Sequence, residues 1–309
     1  MINLKKVKTY SLRKRFSKVR MKDFSLPPKK NISFLRFYHS LPNILKAIEL
    51  HDITGAIINA RKKNKAIIFM LGAHVIKCGL NPILIELIKR RVINCICLNG
   101  AGLIHDFEIA FMGKTSEDVA KNLKTGRFGM AKEPAEFINQ AVQEGVPQGL
   151  GLGKSIARKI GTSFLKYKDL SLLYNAYRYN IAVCAFVAIG TDIIHQHPNF
   201  NAGLTAEGSL RDFHLLVENI IRINKGGVVI NFGSAVILPE VFLKALNLAR
   251  NLGNPIKDFI TANFDMLYHY RPLQNVVLRP TNLGGKGYYI IGHHEIMLPL
   301  LAQAIIEKI

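Results

Sequence analysis

Six short runs rich in β-branched residues, at 66–71, 92–98, 181–189, 227–232, 259–262 and 288–291, constrain this chain more than any other feature. Most are apolar at every position rather than at alternate ones. A strand of that kind has no face to offer to water, so both of its faces must be covered. Helical periods lie between the runs. Residues 81–91 open Asn-Pro, a pairing that suits an N-cap and a first helical position. Residues 210–224 carry Leu215, Val217, Ile220 and Ile221 on one stripe. Residues 239–251 start on Pro239 and end near Gly253, and 298–309 close the chain as a helix. This alternation predicts an α/β fold: a Rossmann-like, mostly parallel sheet with helices on both faces. A helical, Gly-containing insertion is expected at 115–158, between the second and third strands.

Composition agrees. With 309 residues, 49% of them hydrophobic, the chain has a full core to bury, which excludes disorder as its main state. Four cysteines exclude a disulfide scaffold and suit a reduced, cytoplasmic protein. The net charge is +21, and residues 1–30 contribute +10 of it, with only Asp23 opposing. The expected organisation is therefore a basic arm over 1–30 and a single α/β domain over 31–309. The longest uncharged apolar stretches, 66–76 and 181–190, fall short of the ~18–20 residues that a membrane-spanning helix needs. The N-terminus lacks the apolar core of a secretory signal. Its Arg/Ser-rich, acid-poor character has something of a transit peptide, but a basic surface arm is the preferred reading. Nucleic acid is not the expected partner of the body, because half of the excess charge belongs to the arm. An alternative role for the arm is to bind RNA or an acidic partner without catalysis.

Ligands of doubly wound sheets bind past the carboxyl ends of the strands, and here those ends share a character. The second run leads into Asn99, Gly100, Ala101 and Gly102. The third leads into Gly190, Thr191 and Asp192. The fourth leads into Gly233, Ser234 and Ala235, and the fifth into Asn263, Phe264 and Asp265. Glycines admit a phosphate to the backbone and a helix N-terminus adds a positive dipole, so the set favours a nucleotide or dinucleotide site. The run from Gly149 to Ser155 resembles a P-loop but has three residues between its outer glycines where four are required. Cys95 and Cys97 point to one face of a buried strand and read as core; a zinc site would need two further ligands. Asp192, His195 and His197 offer an alternative, a metal-dependent hydrolase of a guanidino or amide substrate.

The order of motifs resembles the deoxyhypusine synthase family, in its bacterial deoxyhypusine synthase-like branch. The resemblance runs over most of the chain past residue 60. It rests on Gly72-Ala-His-Val-Ile-Lys-Cys-Gly79, Asn99-Gly-Ala-Gly-Leu-Ile-His-Asp106, Gly190-Thr-Asp192, Asn231-Phe-Gly-Ser-Ala235, Ile260-Thr-Ala-Asn-Phe-Asp265 and Pro299-Leu-Leu301. It implies a Rossmann-like domain assembled as a homotetramer, with NAD bound near subunit interfaces. The implied activity is oxidation of spermidine or a related polyamine and transfer of its aminobutyl group through an imine. Carried over by position, the NAD site takes Ala73, His74, Lys77, Asn99, Gly100, Ala101, Asp192, Thr261, Ala262, His293 and His294. Asp106, Ser234 and Asp265 fall on the amine substrate.

This chain also departs from the family. The imine-forming lysine belongs to a Trp-Gly-Lys segment, and this chain has no Trp. The matching stretch holds Arg279, whose guanidinium stays protonated and cannot form an imine. Lys286 lies several residues late and is the sequence's candidate substitute. His105 and Glu240, near helix starts, are the candidate acid/base residues.

Overall fold

A computed structural model describes residues 2–309. All six runs form strands: β1 (Ile67–Leu71), β2 (Cys95–Asn99), β3 (Ala182–Phe186), β4 (Val228–Phe232), β5 (Ile260–Asp265) and β6 (Lys286–Ile291). They make one sheet in the order β3-β2-β1-β4-β5-β6, with every neighbouring pair parallel. The chain reverses its direction of travel across the sheet between β1 and β4. Their carboxyl ends are therefore the switch point of a doubly wound fold. The third run is shorter than its apolar stretch, because the chain leaves the sheet after Phe186 and turns at Gly190, whose φ is +94°.

Helices α1 (Phe34–Ser40) and α2 (Leu45–Lys62) precede the sheet, and α3 (Ala73–Lys77) and α4 (Asn81–Lys89) join β1 to β2. Between β2 and β3 lie α5 (Gly100–Met112), α6 (Val119–Leu123), α7 (Lys132–Gly145), α8 (Leu152–Thr162) and α9 (Leu172–Arg178). The insertion is thus helical. Then come α10 (Ala202–Ile221), α11 (Ile237–Asn251), a single turn α12 (Tyr270–Pro272) running into a π-helix over Leu273–Leu278, and α13 (His294–Ile306). The chain divides into two compact units, Met1–His51 and Asp52–Ile309. The first unit carries the basic arm, whose Leu4, Leu12 and Phe16 are exposed. No helix among the described residues is long and apolar enough to cross a membrane.

Both faces of the sheet are covered, as the uniform apolarity of its strands requires. Ile68, Met70, Cys95, Cys97 and Val229 meet Leu216 and Ile220 of α10 and Phe242 and Ala245 of α11. The alternate side chains Ile67, Phe69 and Leu71 point the other way and are equally buried. Each such side chain contributes roughly 1.5–3 kcal/mol on leaving water. Cys184 joins the two thiols of β2, and its Sγ lies 3.9 Å from that of Cys95. These three thiols are, among the described residues, the one set of three His, Cys, Asp or Glu groups close enough to share an ion. They lie in the apolar core.

Asp106 fastens the scaffold. Its fully buried carboxylate accepts from Asn81 Nδ2 (2.9 Å), Ser171 Oγ (2.6 Å), Leu172 N (2.7 Å) and Leu173 N (3.1 Å). The first donor belongs to α4 and the last two open α9. Two sequence expectations are corrected here. Asn81 does not cap α4, since Leu80 holds that position and the Asn81 side chain turns to Asp106. Asp106 does not face a substrate, because each step along α5 turns the side chain by about 100°, and this one points into the core. Removing it strands four donors. The variant Asp106→Ala is expected to lose about 3 kcal/mol or more of stability, read as a lower urea midpoint. An unshifted midpoint would show that α9 is held by other groups.

Candidate functional site

At the switch point the glycines bring the chain against itself. Gly72 N donates to Phe232 O at 2.8 Å, and a Cβ on Gly72 would strike the Gly233 carbonyl. Gly233 has φ +67°, and its missing Cβ leaves room for the His294 imidazole. His294 is buried, with its ring 5.8 Å from that of the exposed His74, and burial pushes its pKa down. His293 is exposed, its Nδ1 3.7 Å from Glu295. Below His294, Asn231 Nδ2 donates to Asn263 Oδ1 (2.6 Å) and to Ser234 O (2.9 Å). Ser234 Oγ accepts from Leu238 N, and Asp265 Oδ1 accepts from Leu267 N and lies 3.6 Å from His269 Nε2. Three buried polar atoms here have no partner: Asn231 Oδ1, Asn263 Nδ2 and His294 Nδ1.

The carboxyl ends of β2 and β3 meet at the start of α5. Asn99 Oδ1 caps the helix by accepting from Gly102 N at 3.0 Å. Asp192 accepts from the Ala101 backbone, and any Cβ on Gly100 would overlap its carboxylate. The positive end of this helix is therefore met by a carboxylate of the chain itself rather than left for a phosphate. Asp192 Oδ2 is buried with no partner, and burial pushes the group's pKa up to about 6.

His195 Nδ1 accepts from Gly190 N (3.1 Å) and Asp192 N (3.4 Å), so its ring proton is assigned to Nε2, 3.9 Å from Asp192 Oδ2. His197 Nε2 is engaged with Gly129 O at 2.8 Å. The ligand set of the metal-hydrolase alternative is thus not gathered. One ring nitrogen of His195 is taken by the backbone and the other holds the proton, while His197 is turned to a carbonyl.

Beside Asp192 opens a cavity of about 240 Å³ lined by Lys77, Ala101, His105, Glu108, Glu117 and Asp192 among others. Sequence reading named four of these and missed Glu108 and Glu117. The signal for Glu108 was its spacing of three from His105 on one helix. Glu117 reaches the cavity because α5 ends at Gly113 (φ +74°) and the insertion folds back over it. Its Oε1 accepts from Gly129 N and its Oε2 from Asn122 Nδ2, both at 2.8 Å. His105 Nδ1 lies 2.7 Å from Thr115 Oγ1 and 3.3 Å from Glu108 Oε2. Burial alone would raise the Glu108 pKa, but the His105 and Thr115 contacts outweigh it and bring it below the usual carboxylate range.

Several expected site residues lie elsewhere. Lys286 is the first residue of β6 and pairs with Ile260, the first of β5. In a parallel pair that is the amino edge, about 16 Å of strand from Asp265. Its Nζ is bound to Asp52 (2.9 Å), and so is the Tyr288 hydroxyl. Lys286 is therefore not placed to act at the carboxyl edge. Thr261 and Ala262 are also inside β5, the Thr261 hydroxyl donating to Val276 O at 2.7 Å, so neither is available to a cofactor. Glu240 is in the first turn of α11, paired with Lys244, 3.4 Å from Arg271 and bound by Asn275 Nδ2 at 2.8 Å. Its contact with Lys244 holds the carboxyl below its usual pKa, which disfavours a proton-donating role. Asn275 also accepts from Arg279 Nη1 at 2.9 Å, so the residue in the family's lysine position is fixed in a π-helix network.

No protein-family model matches the chain, and no curated protein matches its sequence. Solved structures share its fold. It is similar to the apo structure of ArgZ, an arginine dihydrolase from the ornithine–ammonia cycle in cyanobacteria. The identity is 15% and the TM-score 0.52, over 87% of this chain and 34% of that one. It is similar to AgrE in a ternary complex with ornithine and NAD+, at 12% identity and a TM-score of 0.50, over 84% of this chain and 33% of that one. It is also similar to a protein from Entamoeba histolytica assigned as a deoxyhypusine synthase, at 13% identity and a TM-score of 0.51, over 90% and 95% of the two chains. The chain spans about a third of the length of ArgZ and AgrE. At these identities the likeness is one of fold: the six-stranded parallel sheet with helices is shared with proteins described as enzymes.

Proposed function

We propose that this chain is an NAD-linked enzyme of deoxyhypusine synthase-like fold that acts on a cationic amine, spermidine or a related polyamine. The carrying observation is the cavity at the carboxyl edge, where Glu108, Glu117 and Asp192 surround one imidazole, His105. Carboxylates that are partly desolvated attract a polyamine's ammonium groups, and an imidazole beside them can take the proton that such an amine must lose before it reacts. The resemblance to the deoxyhypusine synthase family and the NAD+ in the AgrE complex support the reading. It includes a cytoplasmic homotetramer.

NAD is implied by the resemblance, and the residues present fit it. Asp192 Oδ2, Asn231 Oδ1, Asn263 Nδ2 and His294 Nδ1 are buried polar atoms without partners along the edge where doubly wound sheets bind dinucleotides. An unmet buried polar atom is costly, and ribose hydroxyls and amide groups would meet these. Asp192, Asn231, Asn263 and His294, with the exposed His74, would hold the cofactor through side-chain atoms, whereas Asn99, Gly100 and Ala101 are engaged with Gly102 and Asp192. When bound, it supplies a hydride acceptor for the carbon beside the amine nitrogen. Asp192 would accept from a hydroxyl, the carboxylates would orient the amine, and His105 would receive its proton. With Lys286 at the opposite edge, Lys77 is the lysine that lines the cavity, and it or a free amine would attack the oxidised carbon and take the aminobutyl group, the C–N bond breaking and the rest of spermidine leaving as propane-1,3-diamine.

Purified full-length protein titrated with NAD and then spermidine is expected to show saturable NAD binding and rising NADH absorbance. An absence of NAD binding would sink the reading. Asp192 also has a signature in stability. Its folded pKa of about 6 lies above the ordinary value of 3.8, so the folded state binds more protons than the unfolded one between those values. Its contribution therefore falls as pH rises through that window. Asp192→Asn is expected to raise stability at pH 7.5 by about 2 kcal/mol, to lose that gain near pH 3.5, and to weaken NAD binding about tenfold. Equal urea midpoints for the two proteins at pH 7.5 would show that the carboxylate is not strained by its burial.

A further inference from the structure

We propose that Glu108 and Thr115 are a positioning pair that holds His105 in one tautomer, with the proton on Nδ1, and so makes Nε2 the proton-accepting atom of the cavity. Neither residue has been given a role by the family resemblance.

The number of available protons fixes the tautomer. Glu108 is ionised and can only accept. Thr115 Oγ1 is in close contact with Glu108 Oε2, so its single hydroxyl proton goes to that carboxylate. The oxygen of Thr115 then has only lone pairs left for His105 Nδ1, 2.7 Å away, and Nδ1 must donate. Glu108 Oε2, 3.3 Å from the same nitrogen, makes the same demand. A neutral imidazole has one ring proton, so with Nδ1–H fixed, Nε2 carries the free lone pair. Among the described residues, the hydrogen bonds His105 makes are at Nδ1, while the residue lines the cavity.

The surroundings also suit a base. Besides Glu108 on its own helix, the ring shares the cavity with Glu117 from the insertion, Lys77 from α3 and Asp192 from the turn after β3. Three carboxylates and one ammonium thus share the cavity with the ring. His195 is wired the opposite way, with Nδ1 accepting from the backbone. The two histidines near Asp192 thus present opposite tautomers, each set by what its Nδ1 meets.

The tautomer does not depend on the proposed activity. Only the use of Nε2 as a base rests on that reading, and the test keeps the two apart. Full-length protein labelled with 15N-histidine is compared by NMR with Glu108→Gln and Thr115→Val, with His105→Ala used to identify the signal. The expected wild-type spectrum of the neutral ring shows a protonated Nδ1 and a bare Nε2. Glu108→Gln is expected to move protons onto Nε2, because the amide can donate to Thr115. Thr115→Val is expected to give a mixture of tautomers. In an amine-dependent NADH assay, both variants are expected to lose about 10²-fold in kcat. A wild-type ring protonated at Nε2, or a tautomer unchanged in both variants, overturns the proposal. If melting shows that Glu108→Gln does not fold, Thr115→Val decides alone. No turnover of any amine, with the expected tautomer present, overturns the functional reading and leaves the pair standing.

Discussion

The carboxylate of Asp106 sets the rotation of α5, and the cavity depends on that rotation. Four hydrogen bonds draw this one side chain into the core between α4 and α9. With it pointing inward, His105 and Glu108, three apart, are turned together toward the carboxyl edge. A slip of one residue would bury the imidazole and expose the anchor. Buried polar networks are expensive unless every member is satisfied. The cost of stranding Asp106 is what excludes that slip and makes a precise face out of a helix that is otherwise mostly apolar.

Asp192 is the opposite case at the other end of the same contact. One of its oxygens is used by Ala101 and the other by nothing. Burial has pushed its pKa to about 6, whereas Glu108, with two side-chain partners, is held below the ordinary carboxylate range. Two carboxylates on one cavity with pKa values driven apart is the arrangement that separates a proton-accepting from a proton-holding group. The difference arises from what each meets: a hydroxyl and an imidazole on one side, apolar burial and a single amide on the other.

The fold was legible because most of the strands are buried on both faces, and a covered parallel sheet is what accommodates such runs. The site was legible only where it sits on those strands' ends. Asn99, Gly100, Ala101 and Asp192 were readable as a group because they lie at or just past the carboxyl ends of β2 and the third apolar run. Lys286 was misplaced because a Gly-Gly-Lys-Gly segment can stand at either end of a strand, and only the parallel register with Ile260 shows which. Thr261 was misplaced by one turn of the same problem: its position in the strand, not its type, decides whether its hydroxyl reaches a ligand or Val276. Thr115 and Glu117 lie beyond the left-handed Gly113, where the chain doubles back, and helical periodicity carries no information across such a turn.

The glycines at the carboxyl edge have a common use that differs from the one their pattern suggests. Gly100 admits the Asp192 carboxylate, Gly72 admits the Gly233 carbonyl, and Gly233 admits the His294 ring. In each case the space a phosphate would use for close approach is filled by the chain's own polar group. The α5 amides nearest the edge are correspondingly spoken for by Asn99 and Asp192. A dinucleotide at this edge would therefore be held through side-chain atoms, the unmet ones of Asp192, Asn231, Asn263 and His294, more than through bare backbone amides. Such a site discriminates by the pattern of donors and acceptors on the ligand rather than by its charge. That is consistent with an edge whose cavity is lined by carboxylates.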